Sequence, residues 1–225
     1  RLIFLSGTMP RPVFDELCFE DTQETIYKQF AHPTPKKNRL IYWAPVAKDS
    51  RKDMLGWQTR LTPIIKKHNN IVFHCTYDDA KALEPILVGL GVPAKKIFTY
   101  TNKKNKLDII TQFKYVGGIL LACGLDEGVD FPYDQCDAVI AGRIRFPYLG
   151  DPDVSKRLAQ DGGQVWYDVN TASSLFQQLG RGCRAPDDKC TMYVFDPLFP
   201  RLISKTRKYI NPSLIEAVQW SYNVN

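Results

Sequence analysis

Arg181 and Arg184 stand three residues apart in the octet Gln177-Gln178-Leu179-Gly180-Arg181-Gly182-Cys183-Arg184. Near the end of a helix that spacing puts two side chains on one face. Two guanidinium forks on one face can grip a triphosphate as its transferring group gains charge. In phosphoryl transfer such a contact is worth about 10³–10⁵ in rate. Gln177 can orient water or one of the arginines, and Gly180 lets the helix pack closely against a neighbour. Taken alone, the octet is also consistent with a helix that ends in two solvated arginines.

Three other stretches carry polar groups at the ends of apolar runs. Leu120-Leu121-Ala122-Cys123-Gly124 leads into a turn containing Glu127-Gly128-Val129-Asp130, where Gly124 and Gly128 permit tight turns and close backbone approach. Ile71-Val72-Phe73-His74-Cys75 ends in Thr76 and Tyr77, and Leu2–Leu5 ends in Ser6-Gly7-Thr8-Met9-Pro10. Arg143 and Arg145 follow Ala138–Ala141, a position suited to a nucleic-acid backbone because strand ends line the active face of such sheets. Phe146 and Tyr148, just beyond, can stack on bases or pack locally.

These groups need a scaffold, and the apolar pattern supplies one. Leu2–Leu5, Leu40–Ala44, Ile71–Cys75, Ile97–Tyr100, Ile119–Ala122, Ala138–Ala141 and Met192–Phe195 read as strands buried on both faces. Arg51–Lys67, Asp78–Leu90, Lys104–Phe113 and Thr171–Arg181 read as helices, the second with Thr76 or Asp78 as its N-cap. The alternation argues for a parallel α/β sheet. Phe146–Gly163, rich in Pro, Gly and Asp, reads as a long loop with a short helix over Val154–Gln160, and the stretch after Pro197 as helical.

In order along the chain, Ser6-Gly7-Thr8, Ile71–Tyr77, Gly124–Asp130 and the Gln177–Arg184 octet resemble the third, fourth, fifth and sixth motifs of superfamily 2 helicases. With Arg143-Ile144-Arg145-Phe146-Pro147, Asp151-Pro152 and Asp196-Pro197, the pattern is similar to the second motor domain of XPD/DinG-type helicases. The turn Arg145-Phe146-Pro147-Tyr148 departs from that pattern in detail. The resemblance implies an α/β, RecA-like fold, a parallel sheet with helices on both faces. It implies ATP hydrolysis with Mg2+, and translocation along single-stranded DNA. It implies that Arg181, Arg184 and Gln177 act on the transferring phosphate, and that Gly180, Glu127, Gly128 and Asp130 line the nucleotide. Thr76, Tyr77, Cys123, Gly124, Arg143 and Arg145 would line the DNA track, with Ser6, Gly7 and Thr8 coupling the two sites. Residues 1–10 would close the first motor domain, the partner in the same protein, and 11–225 would form the second with a helical tail. An inactive RecA-like module that binds nucleic acid or protein is the competing expectation.

Composition bounds these readings. The 225 residues suit one α/β domain with an extension, and a net charge of +6 permits nucleic-acid binding without demonstrating it. No window approaches the length of a membrane span, and an intracellular setting is expected because several of the six cysteines sit inside apolar runs, as core thiols of a reducing compartment do. Neither those cysteines nor His32, His68 and His74 show metal-ligand spacing. The sequence has no G-x-x-x-x-G-K-[ST] cradle and no initiator Met; it reads as a fragment that would not hydrolyse ATP alone, with ATP and Mg2+ held mainly by the first domain.

Overall fold

Ile71–Cys75 and Ile119–Cys123 contain no polar–apolar alternation, and every residue of both is buried. Strands covered on both faces belong inside a parallel sheet. A computed structural model describes residues 28–46, 54–100, 105–125 and 128–220 and shows that sheet. The expected strand Leu2–Leu5, the Ser6-Gly7-Thr8 motif, the boundary at residue 10 and Glu127 lie outside the described residues.

Seven strands pair, all in parallel, among the described residues: β1 (Ile41–Trp43), β2 (Ile71–Cys75), β3 (Ile97–Thr99), β4 (Ile119–Cys123), β5 (Ala138–Ala141), β6 (Thr191–Val194) and β7 (Val218–Gln219). Their order is β3-β4-β2-β5-β6-β1-β7. Ile71 of β2 pairs with Ile119 on one side and Ala138 on the other, and Met192 of β6 with Val139 and Ile41. The carboxyl ends of β2, β4, β5, β6 and β1 therefore fall along one edge, where ligands gather in open α/β sheets. The described residues also form seven α-helices: α1 (Met54–Lys67), α2 (Tyr77–Gly89), α3 (Lys106–Val116), α4 (Pro152–Leu158), α5 (Gly163–Leu179), α6 (Phe199–Thr206) and α7 (Pro212–Ile215). None of the described helices is long and apolar enough to cross a membrane.

Three departures from the sequence expectation have local causes. α5 begins at Gly163 rather than Thr171, because Tyr167, Asp168 and Val169 are already buried and the Tyr167 hydroxyl donates to Pro147 O at 2.9 Å. The Pro/Gly/Asp-rich loop ends at Gly163 as expected, but its short helix runs over Pro152–Leu158 rather than Val154–Gln160, because Asp151 caps it by accepting from Asp153 N. The two-residue β7 carries too little pattern to be read from sequence. It pairs with β1 because Arg39, buried, ties the tail down through Ser213 O (2.6 Å) and Glu216 Oε1 (2.9 Å). Of the two cap candidates for α2, Thr76 does the capping, its Oγ1 accepting from Asp79 N at 3.0 Å.

Aromatic residues fix the core. Trp57 of α1 packs on Phe73 and Phe195 with ring centroids 5.5 and 5.6 Å away. Phe113 of α3 lies between Phe98 and Phe131, at 5.8 and 5.7 Å. The second set anchors the far end of the turn that leaves β4, since Phe131 is fully buried.

The octet's close-packing glycine is Gly182, which corrects the expectation for Gly180. α5 ends at Leu179, so Gly180 sits at an open helix end where an added Cβ would meet nothing within 4 Å. An added Cβ at Gly182 would stand 2.6 Å from Cys190 Sγ and 3.2 Å from Val139 Cγ2. Overpacking of this kind costs about 1–3 kcal/mol. Gly182→Ala should lose that much in urea unfolding, whereas Gly180→Ala should stay within about 0.5 kcal/mol of the parent. Equal losses would contradict this assignment.

Candidate nucleotide and nucleic-acid edge

At the carboxyl end of β4 the chain turns through Gly124 (φ 68°) and Gly128 (φ 82°), conformations that side chains disfavour. Leu125 and Phe131 are buried at the two ends of this turn, and Gly128 and Asp130 between them are exposed. Arg181 closes on it from the far side. Its Nη1 donates to Val129 O at 2.7 Å, and its carbonyl accepts from Phe131 N at 3.0 Å. Arg184 Nη2 lies 2.5 Å from Asp130 Oδ1, and Arg181 Nη1 lies 3.9 Å from the same oxygen. The two arginines thus meet at one carboxylate.

That convergence has a different cause from the helical spacing read in the sequence. Helix α5 has ended, Arg181 sits in a 3-10 turn over Gly180–Gly182, and Arg184 lies beyond it. Asp188 sets the backbone of Arg184: its buried carboxylate accepts from Arg184 N (2.9 Å), Lys189 N (2.8 Å) and Tyr133 N (3.1 Å). The sequence reading missed Asp188, whose signal was a turn-forming Pro186-Asp187-Asp188. Gln177 is exposed on the last turn of α5, while its neighbour Gln178 is buried.

The DNA-track candidates gather along the ends of β2, β4 and β5. Thr76 is spent as a helix cap, and Tyr77 beside it is exposed. Arg143 is largely buried, with Nε 3.5 Å from Asp79 Oδ2, so its charge is already balanced. Arg145 Nη2 donates to Cys75 O at 3.2 Å. Between them Ile144 is buried, and its N–H donates to Asp196 Oδ2 at 2.8 Å; Asp196 Oδ1 accepts from Leu198 N. Asp196 therefore sets the directions in which Arg143 and Arg145 leave. Lys106 Nζ donates to Gly124 O at 2.9 Å and adds a cation to this edge. Of the aromatics, Phe146 stacks on Tyr167 at 5.9 Å, and Tyr148 remains 78% exposed.

His74 links the two groups. It lies in β2, fully buried, between Ala122 of β4 and Ala141 of β5. Burial and then the charges of Arg145 and Arg181 push its pKa down to about 3. A neutral imidazole here adds no repulsion to either guanidinium. Taken together, the edge carries Arg145, Arg181, Arg184 and Lys106 beside exposed backbone turns, an arrangement suited to phosphates.

Residues 59–213 match the model of a protein family described as "Helicase C-terminal domain". No curated protein matches the sequence. Among solved structures, S. tokodaii Xpd4 superposes with a TM-score of 0.53 at 15% identity, over 82% of this chain and 38% of that one. A structure named XPD_Helicase gives 0.56 at 14% identity, over 81% and 35%, and one named XPD_APO gives 0.54 at 14%, over 76% and 38%. The chain thus spans less than two fifths of the length of each, and at these identities the likeness is one of fold.

A histidine held neutral makes stability depend on acidity. Unfolded, His74 has a pKa near 6.5; folded, it is about 3. Between those values the unfolded chain binds a proton that the folded chain does not. Stability should therefore be complete above about pH 6.5 and fall by up to ~1.4 kcal/mol per pH unit below it, levelling off near pH 3. His74→Asn should remove this component, measured as the difference between the two proteins' unfolding free energies at pH 7 and pH 5. Parallel curves would show that His74 is not held neutral.

Proposed function

The chain belongs to the helicase C-terminal domain family, and from that premise we propose that it is the second motor domain of an ATP-dependent superfamily 2 DNA helicase of the XPD/DinG type. The observation that carries this reading is the meeting of Arg181 and Arg184 at Asp130, on the same strand-end edge as Gly124 and Arg145. Two guanidiniums beside one exposed carboxylate fit a ligand richer in negative charge than that carboxylate.

In this function the first motor domain of the same protein holds ATP and Mg2+ against the edge. Arg184, more exposed than Arg181, exchanges Asp130 for the phosphate being transferred, where its charge is worth most in the transition state. Arg181 stays bonded to Val129 O and passes the displacement into the turn after β4. Gly128 and Asp130 line the nucleotide, and Gln177 orients water. On this reading the chain alone hydrolyses no ATP, in keeping with its lack of a G-x-x-x-x-G-K-[ST] cradle. Single-stranded DNA runs along Thr76, Tyr77, Cys123, Gly124, Arg143 and Arg145, gripped by its phosphates and not read by its bases. Ser6, Gly7 and Thr8 couple the two sites, and the protein works inside the cell.

In the full-length protein Arg184→Ala should lower ATPase kcat by roughly 10³-fold or more, with KM for ATP little changed. Arg181 is buried, so Arg181→Lys, which retains the charge and loses the fork, is its companion variant. Unchanged kcat in both, with DNA binding intact, would favour a binding module without catalysis. For the track, single-stranded DNA affinity should be measured against salt. Arg145→Ala should weaken binding about equally for all base sequences and reduce the slope of log K against log salt by about 0.7, one phosphate's worth. An identical slope and affinity would remove Arg145 from the track.

A further inference from the structure

Cys75 and Cys123 end β2 and β4 and are register partners in that parallel pair. Register partners leave a sheet on the same face, and neighbouring strands lie about 4.8 Å apart. That spacing falls within the Cα separation of roughly 4.4–6.8 Å that a disulfide spans. The two Sγ atoms stand 3.9 Å apart. Bringing them to bonding distance therefore needs side-chain rotation without movement of the strands. Arg145 reaches over the pair to Cys75 O, and Cys123 Sγ also contacts Thr76 O at 3.5 Å. Both thiols are buried, yet they lie one residue from exposed Thr76 and Gly124, at the open edge of the sheet.

We propose that Cys75 and Cys123 form a modification site, a dithiol that hydrogen peroxide converts into a disulfide joining β2 to β4, which a thiol reductant reverses. The two sulfurs share a hydrogen bond in which either can be the donor, and Arg145 lies beside them, bonded to Cys75 O. One sulfur, as its thiolate, attacks one peroxide oxygen, the O–O bond breaks, and hydroxide leaves as a sulfenic acid forms. The other sulfur then displaces the sulfenic oxygen, which departs with the thiol proton as water. Two electrons pass from the two sulfurs to the peroxide, which ends as two waters. Elsewhere, burial holds the Cys183 thiol above the ordinary range, and a hydrogen bond with Cys136 together with burial holds that of Cys190 well above it.

This chemistry stands apart from ATP hydrolysis and is tested without it. Reduced full-length protein is exposed to hydrogen peroxide in the folded state, quenched with N-ethylmaleimide, digested and analysed by mass spectrometry. The expected result is a peptide pair linking Cys75 to Cys123, lost on treatment with dithiothreitol, with two fewer maleimide-reactive thiols per chain. In Cys75→Ser, Cys123 should accumulate sulfenic acid that dimedone traps. Links that join either residue to any other cysteine, or peroxide consumption with no Cys75–Cys123 link, would overturn the proposal. The wild-type mapping decides the matter even where a serine variant fails to fold.

Discussion

Strands β2, β4 and β5 bury every residue they contain, so polar chemistry can emerge only where they end. Everything at the candidate site follows from that constraint. Parallel pairing in matched register brings Cys75, Cys123 and Ala141 to one edge, and the residues after them inherit a common position. Buried backbone cannot be left unpaired, so the loops beyond the edge are fixed by hydrogen bonds from elsewhere. Asp196 holds the exit of β5, Asp188 holds the backbone of Arg184, and Arg181 holds the exit of β4. These anchors come from outside the strands they steady.

The two arginines differ in how firmly they are held, and magnitudes show which is free to act. Arg181 is buried and donates to a backbone carbonyl; a hydrogen bond to a charged group is worth about 1.5–3 kcal/mol. Its separation from Asp130, 3.9 Å to a half-exposed carboxylate, adds little. Arg184 and Asp130 are 44% and 52% exposed, and such pairs contribute about 0–1 kcal/mol. Arg184 therefore loses little by exchanging Asp130 for another anion, whereas displacing Arg181 would disturb the turn after β4. One guanidinium is suited to meeting a ligand and the other to transmitting its arrival.

Buried charge along the edge is arranged to avoid self-repulsion. Arg143 is balanced by Asp79, and His74, whose protonation burial and the charges of Arg145 and Arg181 oppose, is neutral. A protonated His74 would place a third positive charge in the same buried region. The cost of its neutrality appears as acid sensitivity, a property of the site rather than of the fold in general.

The strands were legible because burial on both faces writes itself as unbroken apolar runs; Ile71–Cys75 and Ala138–Ala141 lie where the sequence places them. Thr76 was legible as a cap, and Gly124 and Gly128 as turn residues, because a local backbone conformation demands those residue types. The α/β class and the order of the motifs were determined in this way by the sequence alone. Other features depend on partners distant in the chain. Val218 becomes strand only because Ile41 lies beside it, Gly182 rather than Gly180 is the tight glycine because Cys190 packs there, and Arg143 is balanced because Asp79 faces it. Arg181 and Arg184 were singled out for their spacing on a helix, yet they meet because a turn and Asp130 bring them together after the helix has ended. Sequence determines what a residue can do locally, through propensity and burial pattern; which charges and backbone groups it meets is decided by packing between segments far apart in the chain, and only the tertiary structure holds that information.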